Sequence, residues 1–224
     1  MKLAAGVVGP AVFTLAWITA TVRQHGYGRY HVAREHISGL AAPDARHPRL
    51  MTAAFLVLGI ATDAFGAAVR DHLGGPRQAG AGPTLIRMAG WAAVAAGLLR
   101  RDRMLLGLPS GVTRQSSRND AHDLASGVIY GSLVVAPIAL ARRFAENDEH
   151  HRLRGPALGT AALTAATLGV FASRVVEPYN GLVQRFGVTV PAVAGAGLAA
   201  RFLRAPASRR RGLGRPRARR LTGR

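Results

Sequence analysis

The side chains with chemistry to offer gather in three short stretches: His36 and Ser38; His122 and Asp123; and Glu177, Asn180, Gln184 and Arg185. Imidazole beside carboxylate is the pairing that binds a transition ion or orients a proton acceptor. Arginine beside amides receives an anionic or hydrogen-bonding group. No H-x-x-x-H or H-E-x-x-H spacing occurs, so no metal and no other cofactor is expected. A zinc-like ion held by His36, His122 and Asp123 is the alternative. Cysteine is absent, which excludes disulfides, thiolate metal sites and cysteine nucleophiles.

A structural role accounts for the same residues. His122 and Asp123 stand where a carboxylate complements a helix N-terminus, with Asp120 available as a cap. Glu177, Asn180 and Gln184 recur at spacings of three and four, on one stripe of a helix that begins near Pro178. Arg185 is expected to pair with Glu177, Asp120 or Asp123.

The elements that must position these groups are apolar blocks. Of the 224 residues, 49% are hydrophobic and 18% charged, and the apolar ones are gathered into long uncharged runs. A helix crossing the hydrocarbon core needs about 20 mostly apolar residues, and about 17 suffice with local thinning. Six runs qualify: 3–22, 51–69, 83–99, 124–141, 156–173 and 178–203. The expected fold is all-α, a polytopic transmembrane bundle of six spans over residues 1–204, followed by a disordered basic tail over 205–224. Met1-Lys2 opens like a signal peptide but is read as the start of the first span. Met104–Val112 is apolar yet too short to cross and holds Pro109, so an interfacial or re-entrant piece is expected. Gly127 with Gly131, and Gly155 with Gly159, form G-x-x-x-G pairs that let helices approach closely. Pro10, Pro137 and Pro191 interrupt three spans, as membrane helices tolerate.

The formal net charge of +19 does not point to nucleic acid, because the basic residues flank the apolar runs and no recognition motif accompanies them. Ten arginines lie from Arg201 onward, where they meet anionic lipid headgroups or simply fix topology. With the N-terminus inside, eighteen basic residues fall on the cytoplasmic side and twelve outside; without the tail the balance is eight to twelve. The tail thus decides for cytoplasmic termini. Membrane lipids are the expected partners, and oligomeric state is left open.

With six spans, the loops after the first, third and fifth share one face, and the three chemical stretches all fall on it. On the opposite face Asp63 and Arg87 are placed to form a structural ion pair.

His36-Ile37-Ser38-Gly39-Leu40, His122-Asp123 and Gly181-Leu182-Val183-Gln184-Arg185 together resemble the recurrent motifs of domain-of-unknown-function family 998, and the order and spacing of the runs fit along nearly the whole chain. The resemblance implies a six-span membrane protein of a bacterium or archaeon, located in the plasma membrane, and implies no activity. Gly39 departs from the pattern, which has an acidic residue there. The leading expectation is a non-enzymatic protein that binds or passes a small polar or lipid-like ligand at the polar face. The alternatives are a metal-dependent, membrane-embedded hydrolase of lipid and an assembly partner of another membrane protein.

Overall fold

In a computed structural model, residues 1–26, 30–74, 79–104, 116–173 and 175–204 are described. The described chain is all-helical, without strands: α1 (Ala5–Gln24), α2 (Pro48–His72), α3 (Gly82–Leu98), α4 (Ser117–Ala145), α5 (Arg154–Ala172) and α6 (Asn180–Arg204). Five of the six are long and apolar enough to cross a membrane. The sixth is α3, which has 17 residues and a length of about 26 Å at 1.5 Å per residue. The Arg-rich tail and all but Met104 of the Met104–Val112 segment lie outside the described residues.

Local sequence sets the helix starts. Pro48 occupies the first turn of α2 and Pro83 that of α3, where a missing N–H costs nothing. The α4 helix starts at Ser117, earlier than its apolar run, because the Ser116 hydroxyl accepts from Asn119 N at 3.2 Å and caps it. Asp120 is therefore in the first turn rather than at the cap, and His122 and Asp123 stand in the second turn. Before α6, Glu177–Tyr179 forms a 3-10 turn and the α-helix begins at Asn180.

Each helix packs against its neighbours in sequence, and α6 closes on α1. The helices therefore form a ring. Glycine permits its tightest contacts: a Cβ added at Gly59 would stand 2.5 Å from Gly90 O, and one at Gly97 would stand 2.7 Å from Phe55 Cβ. The Gly127/Gly131 and Gly155/Gly159 pairs do not take this part. All four are exposed, with nothing within 4 Å of an added Cβ. In a chain with 27 glycines the spacing arises from composition, and only glycines that face a neighbouring helix permit close packing.

Valine, leucine, isoleucine and tryptophan side chains such as Leu15, Val22, Ile60, Trp91 and Leu124 cover the outside, as lipid contact requires. Two apolar clusters sit toward the ends of the bundle, one around Phe13, Ile37, Met51 and Phe55, the other around Phe65, Val69, Phe144 and Phe202.

Candidate functional site

Between those clusters runs a cavity of about 420 Å³ lined by residues of all six helices. Phe13, Leu58, Ile86, Leu133, Ala157 and Leu198 illustrate its walls. Pro10, Pro137 and Pro191 also line it. Each removes one backbone hydrogen bond from its helix, so the interruptions visible in the sequence fall where the helices surround open space.

The imidazole, phenol and amide of the lining gather toward one end with Ser38 and Ser126, and the rest of its polar groups are the hydroxyls of Thr14, Thr62, Ser132, Thr160 and Thr189. Ser38 arrives on the 3-10 turn Ile37–Ala41. His122, Ser126 and Tyr130 come from successive turns of α4, and Gln184 from the first turns of α6. Ser38 and His122 are buried, while Gln184 and Tyr130 are half-buried. Gln184 fixes this end: its Oε1 accepts from Ile37 N at 2.7 Å, and it is within hydrogen-bonding reach of Tyr130. His122 is held from behind by α3, with Nδ1 at 3.1 Å from Ala96 O and 3.0 Å from Leu99 O.

The other predicted residues are near this end but engaged elsewhere. Asp123 forms an ion pair with Arg101. Among the described residues Arg185 bonds no carboxylate, contrary to the expectation of a pair with Asp120 or Asp123; the Glu177 side chain lies outside them. The Arg185 Nη1 donates to Val32 O at 2.9 Å, Glu35 O at 2.8 Å and Gly181 O at 2.9 Å. Its Nη2 donates to the Tyr30 hydroxyl at 2.6 Å, and the guanidinium lies 5.5 Å from the Trp17 ring. The physical reason is proximity: Leu182 N bonds Ala33 O at 3.1 Å, which brings the 32–35 carbonyls against the start of α6. Gly181 makes that approach possible, since a Cβ there would lie 2.5 Å from Glu35 O. Asn180 is half-buried and outside the cavity lining, with Oδ1 unbonded among the described residues. Glu177 lies in the turn before α6.

His36 immediately precedes the Ile37–Ala41 turn, without a side-chain cap, and its ring packs on Phe171 at a centroid distance of 5.1 Å. Burial pushes its pKa down to about 4, and the nearby Arg101, Arg185 and His122 push the same way. Gly39 faces Met104, whose carbonyl oxygen would be 2.5 Å from a Cβ at that position. An acidic residue has no room there, which accounts physically for the departure noted in the first loop. On the opposite face, Arg87 Nε donates to Asp63 Oδ1 at 2.7 Å.

Sequence reasoning missed Ser126, Tyr130 and Arg101. The first two carried a readable signal: His122, Ser126 and Tyr130 recur every four residues, a polar stripe along one face of α4. Arg101 had none, because a basic residue between two apolar runs reads as an ordinary headgroup anchor.

Fold and cavity define a multi-pass helical membrane protein with a ligand-sized space inside the bundle. The chain matches the model of the family described as protein of unknown function (DUF998) over residues 7–201, and it belongs to that family. No curated protein and no solved structure matches it.

Proposed function

We propose that this protein is a non-enzymatic binder of an amphipathic, lipid-like ligand, held inside the bundle with its polar end against Ser38, His122, Tyr130 and Gln184. The observation that carries this reading is the cavity of about 420 Å³, mostly apolar, with an imidazole, a phenol and an amide together at one end. That volume falls within the roughly 300–1,000 Å³ of small-molecule sites, which are mostly apolar with a few polar groups fixing orientation. In this reading the protein lies in the plasma membrane of a prokaryote with both termini cytoplasmic. The polar end then opens toward the extracytoplasmic face, and the Arg-rich tail contacts anionic headgroups.

Native mass spectrometry of the protein released from its own membranes tests the proposal. The native chain carries a bound amphipath, whereas Ala192→Phe, which places a ring in the cavity wall, folds and carries none. A native chain that holds no amphipath, and gains no thermal stability from any lipid extract, sinks it.

The metal-dependent hydrolase draws less support. Asp123 is paired with Arg101, and Nδ1 of His122 is committed to α3 carbonyls. Among the described residues no three His, Asp or Glu side chains come together as ligands. Elemental analysis of purified protein, with His36→Ala and His122→Ala beside it, separates the two readings: stoichiometric zinc lost in both variants favours the hydrolase.

A further inference from the structure

The lining of the cavity restricts the charge of what it holds. Among the described residues no Arg, Lys, Asp or Glu side chain lines it. The charged groups nearest its polar end lie outside the lining, Arg101 paired with Asp123 and Arg185 bonded to three carbonyls and a phenol, with the buried Nε of each unbonded among the described residues. An anion entering this space would give up its water without direct contact with a cation, and a cation would meet no carboxylate in the lining. Either transfer is strongly unfavourable.

His122 specifies the polar group further. Carbonyl oxygens only accept, so the Nδ1 facing Ala96 O and Leu99 O bears the proton of the neutral ring, and Nε2 is left as a lone-pair acceptor. Its Nδ1 edge is turned to α3, so the remainder of the ring faces the lumen. The bonds the ring makes to the described residues are both through Nδ1, and the residue, 1% exposed overall, lines the cavity. An acceptor that faces a mostly apolar cavity is best met by a donor on the ligand. The hydroxyls of Ser126 and Tyr130, on the next turns of α4, can donate in return.

We propose that the cavity selects an uncharged amphipath whose headgroup bears a hydroxyl, with that hydroxyl donating to His122 Nε2 and the aliphatic chain extending down the six-helix lumen. This assignment rests on the ligand-binding reading above and narrows it to a chemical class.

Three photoreactive probes test it, each with the same long aliphatic chain carrying a diazirine and ending in a hydroxyl, a phosphate monoester or a trimethylammonium group. They are added to the full chain in phosphatidylcholine nanodiscs, and labelled residues are mapped by mass spectrometry. The alcohol labels lumen residues of α4 and α6 saturably, and exceeds both charged probes there by about tenfold or more, the factor that one unpaired buried polar contact supplies. His122→Leu lowers labelling by the alcohol and leaves the charged probes excluded. If that variant does not fold, the comparison of the three probes on the native chain decides alone. Equal or stronger lumen labelling by a charged probe overturns the neutral-headgroup assignment and leaves a ligand cavity standing. Labelling of the lumen by none of the three overturns both readings.

Discussion

Gly59 of α2 and Gly90 of α3 face each other so closely that a Cβ on the first would lie 2.5 Å from Gly90 O, and a Cβ on the second 2.6 Å from Gly59 O. Two backbones meet here, with no flexible side chain between them to give way. Gly59→Ala and Gly90→Ala should each cost about 1–3 kcal/mol, the range for overpacking a filled interior. Gly127→Ala, on the open face of α4, should cost nothing. Thermal melts of the three variants in one detergent check this, and equal melting temperatures would refute the contact.

Arg185 joins α6 to the loop before Ile37 by bonding the carbonyls of Val32 and Glu35. Removing the guanidinium leaves buried acceptors unsatisfied, so Arg185→Ala should lose about 3 kcal/mol or more, given roughly 1.5–3 kcal/mol per charged hydrogen bond. Arg185→Lys keeps the charge without the planar fork and should fall between. Hydrogen exchange supplies the local readout: protection across residues 30–41 drops in both variants while that of α2 and α3 holds. Uniform loss over the whole bundle would show that Arg185 has no special hold on this loop.

How far the sequence carried depends on which physical signal each residue leaves. Apolar runs announce membrane helices directly, because lipid demands the same length and composition of almost any span. Helix ends are less legible: Ser116 caps α4 well before its apolar run begins, since the first two turns are mostly polar. The cavity itself leaves little trace, because its walls of Phe, Leu, Ala and Pro are the residues that a filled interior would also use. Arg185 marked an important position but misled about its partner, since a salt bridge is what charge alone suggests and backbone carbonyls are invisible in a sequence. The glycine pairs failed for a related reason: spacing says which residues share a helix face and not whether another helix covers it.

Asp63 and Arg87 bond across α2 and α3 with side chains 24% and 37% exposed. Breaking the pair from either side leaves a charge at a helix interface, so Asp63→Leu and Arg87→Met should each destabilise. The double variant should recover part of the loss. A coupling of about 1 kcal/mol is expected, toward the low end for contacting groups because Arg87 is more than a third exposed and solvent screens it. A double-mutant cycle of thermal stabilities measures it, and strictly additive losses would show that the pair contributes no stability.

His36 should make the protein acid-sensitive. Its pKa falls from 6.5 to about 4 on folding, through burial first and then the charges of Arg101, Arg185 and His122. Above pH 6.5 the imidazole is neutral in both states and has no effect on the balance. Between 6.5 and about 4 the unfolded chain takes up a proton that the folded chain refuses, so stability declines as pH falls. Below about 4 the full loss is reached. The shift corresponds to about 3 kcal/mol at 1.36 kcal/mol per unit. His150, buried at the opposite end of the bundle, has its pKa lowered chiefly by burial and adds a loss of the same sign. Melting temperatures read from pH 7.5 to 4.5 should therefore fall in the native chain, fall less in His36→Gln, and least in a variant that also carries His150→Gln. Parallel profiles for native and His36→Gln proteins would mean that the ring on Phe171 is already open to water.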